Sequence, residues 1–299
     1  KKLAIGASTK TVNKAYPGLV PTFEVALAQK FSEKRIEGMD EVIVEPKLDG
    51  IRCFAVVENG RAMLFARSGK IIPNFDDTIG AELQKLGDGC YDGELMGEDF
   101  IALMRQAYRK DNVDTSGTYL ALFDYLPLDE WRSGSTVMSC RERYEALLDK
   151  MDASKFLNTQ VIQPVEREYV PANYKNIKDL HDSYVSDGYE GAMIKDPSAP
   201  YKFGRGYEVM KFKSFSDADL MIEGFEEGTG KYRGTLGALK VSYNGKPLKV
   251  GSGLSDDIRD AIWDDPDAYF GRMIEVRYQE VTPDGSLRFP TFVCFRNDR

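Results

Sequence analysis

The sequence is poor in the residues that build disulfide frameworks, zinc sites and histidine-based catalysis. Its 299 residues include four cysteines and one histidine. The cysteines stand at positions 53, 90, 140 and 294 and form no Cys-x-x-Cys pair, so neither a zinc site nor a disulfide framework is indicated. The histidine, His181, lies in a polar, helix-like stretch, where we expect a surface residue. Mechanisms such as Ser-His-Asp hydrolysis are therefore disfavoured.

Long apolar segments are also missing. No run reaches the length of a membrane span, and the Lys-Lys-Leu start has no hydrophobic signal-peptide region. We therefore expect a cytoplasmic protein with no membrane partner. The formal net charge of −8 argues against indiscriminate coating of nucleic acid. Lysines and arginines nevertheless cluster in residues 202–213 and 231–233, where a local basic surface can form.

One lysine is followed directly by an acidic-glycine turn. Residues 47–50 read Lys-Leu-Asp-Gly, and Arg52 follows. The apolar runs at 42–44 and 53–57 predict strands, so the amine of Lys47 would project into a cleft where two strands meet. A lysine ammonium cannot attack, so nearby cations or desolvation must favour the neutral amine. The pattern indicates covalent capture of a nucleoside monophosphate, although Asp-Gly turns and solvated lysines are common.

Two later segments carry acids and an aromatic ring on predicted strands. Asp92 and Glu94 are two residues apart, so they lie on one face of a short strand and suit a divalent cation or a ribose hydroxyl. Phe123 and Asp124 end an apolar run, where the ring is suited to stack on a nucleobase. Taken alone, Asp92 is also compatible with an ordinary turn, and Phe123 with the core.

Two further segments carry lysines on predicted strands. Glu190 and Lys195 bracket an apolar strand with opposite charges. Lys211 and Lys213 lie on one face of a later strand and supply the cations that the attack by Lys47 requires. Their simpler interpretations are a strand-end pair and a solvated strand face. We favour the functional interpretation because independent solvated faces have no reason to recur in one order with one chemical logic.

In this order and spacing, the segments resemble the covalent nucleotidyltransferase superfamily, and specifically the ATP-dependent DNA ligases. The resemblance covers nearly the whole chain from about Pro21. It implies that Lys47 is the nucleophile that takes AMP from ATP, and that Lys211 and Lys213 act at the α-phosphate. The other residues that it implies for the nucleotide site are Glu45, Arg52, Arg67, Glu94, Phe123, Met193, Arg205, Arg288 and Arg296.

The resemblance also implies a metal site and a C-terminal motif. Mg²⁺, with Mn²⁺ left open, is expected at Glu190 together with Glu94 or Asp92. Residues 287–290 with 295–299 are similar to the ligase C-terminal motif, whose usual final lysine is an arginine here. That change preserves the charge but not the side-chain geometry.

The pattern of elements places a domain boundary near residues 214–217. Before the boundary, apolar spacing predicts helices over 23–35 and 138–151 among alternating strands. After it, the pattern predicts a helix over 255–263. The short strands predicted there cover 220–225, 238–243, 248–250 and 273–279.

The predicted fold class is α+β with two domains. The resemblance implies a nucleotidyltransferase domain at 1–214, with ATP-grasp-like antiparallel sheets and helices. The short strands in the remaining part, 215–299, suit an OB-fold β-barrel, a fold that commonly binds oligonucleotides.

The resulting hypothesis is a monomeric ATP-dependent DNA ligase of minimal, phage-like or bacterial type that seals nicks in duplex DNA during repair, replication or recombination. The enzyme alternatives are an RNA ligase and a GTP-dependent mRNA capping guanylyltransferase, which share the lysine motif. A non-catalytic OB-fold module is a third alternative, disfavoured by the intact lysines. An NAD-dependent ligase is disfavoured because no nicotinamide-binding domain or zinc cluster is recognisable.

Overall fold

The chain folds into two compact units, Lys1–Phe212 and Lys213–Arg299. The structure, a computed structural model, describes residues 15, 23–98, 100–109, 113–154, 157–282 and 284–296. Pro21, where the resemblance begins, and the terminal Arg299 lie outside these described residues. Both units combine sheets with helices, so the predicted α+β class is confirmed.

The first unit is built from ten strands and five α-helices in the described ranges. The strands are β1 (Ala26–Lys30), β2 (Glu41–Pro46), β3 (Ile51–Glu58), β4 (Arg61–Ala66), β5 (Gly89–Met96), β6 (Tyr119–Leu126), β7 (Ile162–Pro164), β8 (Glu168–Pro171), β9 (Gly191–Lys195) and β10 (Gly204–Lys213). The helices are α1 (Ala81–Lys85), α2 (Phe100–Tyr108), α3 (Leu128–Ser133), α4 (Cys140–Ala153) and α5 (Tyr174–Ser186).

These strands form two five-stranded sheets. The first has the order β1-β10-β9-β2-β8, and the second has the order β4-β3-β5-β6-β7. Most neighbours are antiparallel, as expected, but β1 pairs with β10 and β6 pairs with β7 in parallel. Because β2 belongs to the first sheet and β3 to the second, the four residues between them connect the two sheets.

Helices α1, α2 and α4 cover the second sheet. Alternate residues of β3 form one buried cluster with the apolar stripes of these helices, which include Leu83, Leu103 and Leu147. Helix α4 confirms the helix predicted over 138–151. Its start is stabilised by a capping box, in which the Ser139 side chain accepts from the Glu142 backbone and the Glu142 side chain accepts from the Ser139 backbone.

The helix predicted over 23–35 is wrong, because this segment contains the edge strand β1. Its backbone hydrogen bonds go to β10: Phe31 N donates to Lys211 O (2.9 Å), and Gly204 N donates to Val25 O (3.1 Å). Leu27 and Phe31 pack into two different clusters rather than along one helical face. A partner almost 180 residues away therefore overrides the local spacing.

The surface position predicted for His181 is also wrong. The ring is buried and stacks on Phe212, with the two centroids 4.3 Å apart. His181 lies one helical turn after the buried Ile177, so it belongs to the face of α5 that packs against the first sheet. Its Nδ1 lies 2.9 Å from Asp182 Oδ1.

The second unit has strands and a helix where the sequence predicts them. Its strands are β11 (Ser216–Glu227), β12 (Leu236–Tyr243), β13 (Lys246–Val250), β14 (Met273–Tyr278), β15 (Glu280–Val281), β16 (Leu287–Arg288) and β17 (Thr291–Phe295), and its helix is α6 (Asp256–Asp264). The turn between β12 and β13 uses positive φ at Asn244 (50°) and Gly245 (78°), as is typical of an Asn-Gly hairpin turn.

Five of these strands form one sheet in the order β13-β12-β11-β14-β17, and β15 pairs with β16. The sheet is not closed into a barrel. Across the described residues, a single isolated bridge, Ser252 to Thr291, joins the two ends of the ladder. Apolar side chains of the strands and of α6, including Ile222, Val241 and Ile262, form the core of this unit. No described helix has the length and apolar character to cross a membrane.

Candidate active site

A cavity of about 230 Å³ lies in the first unit and is lined by residues of both sheets. Most of the predicted site residues line it. They are Glu45, Lys47, Arg52, Arg67, Asp92, Glu94, Phe123, Met193, Arg205 and Lys211. The cavity therefore brings together side chains that are more than 160 positions apart in the sequence.

Lys47 is held at the connection between the two sheets by its backbone and by its side chain. Its N–H donates to Gly191 O (2.8 Å), and its carbonyl accepts from Glu190 N (3.1 Å). Its ammonium group forms an ion pair with the carboxylate of Glu190, and the two side chains are 18% and 6% exposed. The candidate nucleophile thus lies at the cavity with an acid as its immediate neighbour.

Gly50 allows the chain after Lys47 to pass close to β5. A Cβ atom at this position would lie 2.1 Å from Leu95 O and 2.9 Å from Glu94 Cγ. No side chain fits there, so the glycine of the motif serves close packing of the backbone. This packing holds the start of β3 against the strand that carries the two candidate acids.

Arg52 and Asp92 form a buried bidentate pair on neighbouring strands. Arg52 Nε and one terminal nitrogen donate to the two oxygens of Asp92, each at 2.6 Å. The same carboxylate accepts from the Tyr201 hydroxyl at 2.7 Å, and it is fully buried. The guanidinium of Arg52 lies 4.6 Å from the centroid of the Phe123 ring. The pair fixes the orientation of Arg52 beside this ring.

A second buried network lies behind Phe123. Lys195 Nζ is 4.8 Å from the Phe123 ring centroid and 2.7 Å from Glu45 Oε2. Arg167 pairs with Glu45 Oε1 at 2.5 Å and donates to the Phe123 carbonyl at 2.9 Å. Burial opposes the charge on Arg167, but its acidic neighbours, Glu45 foremost among them, together outweigh burial and raise the pKa of the guanidinium. Phe123 and Glu45 are thereby held at the cavity wall.

Sequence reasoning missed the parts that Lys195, Arg167 and Tyr201 play in these networks. Lys195 is two residues after Met193 on β9, so the alternation of a strand places both on one face. No local pattern marks Arg167, because its partner Glu45 is more than 120 positions away. Tyr201 likewise lies 109 positions from its partner Asp92.

Glu94 also lines the cavity, but the contacts of its carboxyl group differ from those of Asp92. The Glu94 carboxyl group makes no hydrogen bond or ion pair with any residue in the described part of the chain. Burial raises its pKa to about 7, against the opposing effect of Arg52 and Lys47. Glu94 is therefore a carboxyl group that changes charge near neutral pH. Within the described ranges, no three His, Cys, Asp or Glu side chains cluster closely enough to hold a metal by themselves.

The remaining predicted site residues have other neighbours. Glu190 pairs with Lys47, which lines the cavity. Lys213 donates to Gln279 Oε1 at 3.0 Å in the second unit. Arg296 pairs with Asp219 (2.7 Å) and with Glu275 (3.1 Å), also in the second unit.

Arg288 lies on β16, and its guanidinium is 5.4 Å from the centroid of the Phe289 ring. The last three residues of the C-terminal motif, 297–299, lie outside the described residues.

The chain matches two family models. Residues 25–213 match the ATP dependent DNA ligase domain, and residues 227–296 match the DNA ligase OB-like domain. The first match alone covers more than half of the chain. The chain belongs to the ATP-dependent DNA ligase family. The prediction of an ATP-dependent DNA ligase built from a nucleotidyltransferase domain and an OB-like domain is confirmed, and with it the use of ATP.

The ligase is similar to proteins from phages and archaea. It is 26% identical over 334 residues to the DNA ligase of Enterobacteria phage T3, a match that covers 92% of this chain and 95% of the phage protein. It is 26% identical over 311 residues to the DNA ligase of Archaeoglobus fulgidus, with 89% of this chain and 54% of that protein covered.

Among solved structures, the one named Pmar-Lig_PreS3 is 34% identical to the ligase, with a TM-score of 0.85 over 97% of this chain and 72% of that one. The ATP-dependent DNA ligase from bacteriophage T7 in complex with ATP shares the fold. Its TM-score is 0.56 at 23% identity, over 91% of this chain and 98% of that one.

Proposed function

We propose that this ligase seals nicks in duplex DNA through an AMP group carried on Lys47. The observation that carries the proposal is the cavity, where Lys47 lies among cations, an aromatic ring and buried carboxylates. In the proposal the enzyme acts as a cytoplasmic monomer. Residues 1–214 form its adenylation domain, and residues 215–299 form its OB-fold domain.

In the first step, the neutral amine of Lys47 attacks the α-phosphorus of ATP. A nitrogen–phosphorus bond forms, the bond to pyrophosphate breaks, and the amine loses a proton. The ion pair with Glu190 must open first, because it stabilises the ammonium form that cannot attack. Lys211 and Arg52 line the same cavity, where their charges would stabilise the developing negative charge at phosphorus.

The base of ATP is proposed to stack on Phe123, with Met193 as a further apolar contact. Glu45 is held in place by Lys195 and Arg167, so its carboxylate is positioned to accept from the amino group of adenine. The carbonyl oxygen of guanine at the same position would face a negative charge. This arrangement supports ATP over GTP as the substrate.

Arg67 and Arg205 are exposed side chains at the cavity and are proposed to contact the phosphate or ribose groups of the nucleotide. Arg205 already donates to the Ala28 carbonyl at 2.6 Å, which orders one side of the cavity.

Two of the three carboxylates predicted to hold Mg²⁺ suit the ion. Glu190 and Glu94 would hold the ion, because the Glu94 carboxyl has no other partner among the residues described. Two carboxylates are what Mg²⁺ usually takes from a protein, with waters and phosphate oxygens as its other ligands. When bound, the ion neutralises charge on the phosphates. Mn²⁺ has the same ligand preference. Both oxygens of Asp92 accept hydrogen bonds from Arg52, so we propose that Asp92 orients this arginine instead.

Two further transfers complete the proposed reaction. The 5′-phosphate at a nick attacks the AMP on Lys47, which releases the lysine, and the 3′-hydroxyl then attacks the adenylated 5′-phosphate and releases AMP. Each step is phosphoryl transfer, which needs positioning and charge neutralisation more than a histidine. Arg288 and Arg296 are proposed to act on the nucleotide from the OB-like domain in the first step.

The test is incubation of the ligase with α-labelled ATP, GTP or NAD and Mg²⁺, followed by denaturing electrophoresis, peptide mapping and a nick-sealing assay. We expect acid-labile label from ATP on Lys47, no label in Lys47→Ala, and sealing of nicked duplex DNA. Labelling that persists in Lys47→Ala, or that requires GTP, contradicts the proposal. Sealing of nicked RNA in preference to DNA would favour the RNA ligase alternative.

A further inference from the structure

The chain also crosses between the two sheets of the first unit at residues 165–167, and Arg167 lies at the end of this crossing. Strand β7 belongs to the second sheet and β8 to the first, so the residues between them connect the sheets. The Arg167 side chain is only 2% exposed. A buried charge costs free energy unless its surroundings neutralise it, so the contacts of this guanidinium must compensate for its burial.

One nitrogen of Arg167 contacts a residue from each sheet. Nη2 lies 2.5 Å from Glu45 Oε1 on β2 of the first sheet, and it donates to the Phe123 carbonyl on β6 of the second sheet at 2.9 Å. Lys195 shares both partners, but its amine is 3.4 Å from the same carbonyl, which is long for a hydrogen bond. Arg167 therefore forms the tighter bridge between Glu45 and Phe123, which both line the cavity.

The rest of the Arg167 guanidinium is held by an aromatic ring. Its Nε and Nη1 are buried, and neither has a hydrogen-bond partner in the described ranges. The guanidinium carbon lies 3.3 Å from the centroid of the Tyr144 ring on α4, and the Tyr144 hydroxyl donates to Val165 O at 2.5 Å. This cation–π contact fixes the guanidinium, so that its remaining nitrogen sets the positions of Glu45 and Phe123.

We propose that Arg167 is a positioning residue that sets the selectivity of the ligase for adenine. In the proposed function, Glu45 accepts from the amino group of the base and Phe123 stacks on its face. The acceptor and the ring belong to different sheets and must be the correct distance apart to engage one base. Arg167 joins them, and its burial means that it acts through these two residues. This inference rests on the proposed function, which places the base of ATP against Glu45 and Phe123.

The experiment compares ATP with purine riboside 5′-triphosphate, which lacks the 6-amino group. Both nucleotides carry an α-label, and the rate of labelling of Lys47 at several concentrations gives a maximal rate and a half-saturating concentration for each. The preference for ATP is the ratio of maximal rate to half-saturating concentration for ATP, divided by that for the analogue. We expect a preference of about tenfold or more in the unmodified ligase, since a site that bonds the amino group rejects an analogue without it.

Arg167→Met removes the charge and the bridge but keeps an unbranched side chain. We expect the half-saturating concentration of ATP to rise about tenfold, with the maximal rate within about twofold of the wild-type value and little change for the analogue. The preference for ATP should therefore nearly disappear. The matched control is Arg143→Met, because Arg143 is also buried and pairs with the buried Asp124 on β6 at 2.7 Å. It should lose stability but keep the preference for ATP.

A merely structural role for Arg167 would lower the melting temperature of Arg167→Met and leave the preference for ATP unchanged. A wild-type preference in this variant therefore overturns the inference, as does an unmodified ligase that uses both nucleotides equally well. If Arg167→Met does not fold, Arg167→Lys decides, because a lysine keeps the charge but lacks the planar group that packs on Tyr144. We expect a reduced preference in Arg167→Lys, and a wild-type preference overturns the inference.

Labelling of the unmodified ligase separates this inference from the proposed function. If Lys47 takes no label from ATP, the proposed function fails and the inference fails with it. If Lys47 takes the label and Arg167→Met keeps the wild-type preference, the inference fails and the proposed function stands.

Discussion

The cations around the nucleotide cavity and the exposed cations of the second unit are held in opposite ways. Around the nucleotide cavity, Arg52 is paired with the buried Asp92, and Lys195 is paired with the buried Glu45. On the second unit, Arg296 is 45% exposed and its partner Asp219 is 50% exposed. Charges of the first kind are fixed before a substrate arrives. Charges of the second kind can exchange a carboxylate for a phosphate at little cost.

This difference suits the two substrates. A buried ion pair gains little net stability, but loss of one partner leaves an uncompensated charge and is costly. An exposed pair is weak and is easily replaced. A small nucleotide that reacts at one phosphorus atom benefits from preorganised donors. A long DNA backbone benefits from a surface of donors whose carboxylate partners can be replaced by phosphates. The predictions below test this contrast, from the largest expected effect to the smallest.

The sharpest test compares one acid from each unit. Asp92→Ala leaves Arg52 without its bidentate partner, so we expect the free energy of unfolding of the first unit to fall by about 3–5 kcal/mol. Asp217→Ala removes the partner of the exposed Arg277 and should have a small effect. Urea unfolding followed by circular dichroism measures both. Equal losses of unfolding free energy in Asp92→Ala and Asp217→Ala would contradict the contrast between buried and exposed ion pairs.

A second prediction concerns the pH dependence of stability that Glu94 produces. Its pKa rises from 4.5 to about 7 on folding, so the folded state binds more protons between these two values. The stability that Glu94 contributes is therefore full below pH 4.5 and is lost as the pH rises through 7. The total loss is up to about 3 kcal/mol.

In Glu94→Gln, position 94 has no titratable group, so the variant should lack the pH dependence of stability that Glu94 produces. The measurement is the free energy of unfolding of both proteins at several pH values from 4.5 to 8. We expect the free energy of unfolding of the variant to increase relative to that of the wild type as the pH rises. A constant difference across this range would show that the carboxyl of Glu94 titrates as it does in the unfolded chain.

A third prediction separates two lysines that the sequence places on one strand face. Lys211 lines the cavity, whereas Lys213 donates to Gln279 of the second unit. Lys211→Ala should slow self-adenylylation by about 10²-fold, as for loss of one preorganised donor. Lys213→Ala should slow it less. Rapid-quench measurement of the label on Lys47 compares them, and equal effects would restore the interpretation of both as α-phosphate ligands.

The sequence predicts the site best where the signal is local. The strand around Asp92 and Glu94, the lysine and its glycine before β3, and the strands of the second unit follow from alternation and turn chemistry. Contacts between distant segments are not encoded in local spacing. Local spacing therefore predicts a helix where β1 forms, since the partner strand β10 is far along the chain.

The same limit applies to side chains. The alternation of a strand places Lys211 and Lys213 on one face, but it does not show that β10 ends at Lys213 and that this residue belongs to the second unit. Arg167 has no local pattern at all, and only the fold reveals that it holds Glu45. The chemistry of the site is thus readable from the sequence, while the supporting contacts require the structure.

The smallest effect is expected from an arginine of the second unit, and it tests the division of labour between the units. We propose that Arg296 orients the pyrophosphate leaving group of ATP. To do so it must give up Asp219 and Glu275, so its net contribution is smaller than that of a preorganised donor. Arg296→Ala should therefore slow self-adenylylation by roughly tenfold, below the effect of Lys211→Ala.

The last step of the reaction releases AMP and no pyrophosphate, so Arg296→Ala should seal a nick that already carries 5′-adenylate at nearly the wild-type rate. Lys47→Ala should behave in the same way, because that step uses no lysine nucleophile. Glu190→Ala should impair both reactions, since charge develops at the α-phosphate each time. Arg277→Ala, which alters an equally exposed pair on the same unit, is the matched control and should affect neither. If Arg296→Ala instead slows the final step as severely as the first, Arg296 does not act on the leaving group alone. The contrast between fixed cations at the cavity and exchangeable cations on the second unit then does not account for the role of Arg296.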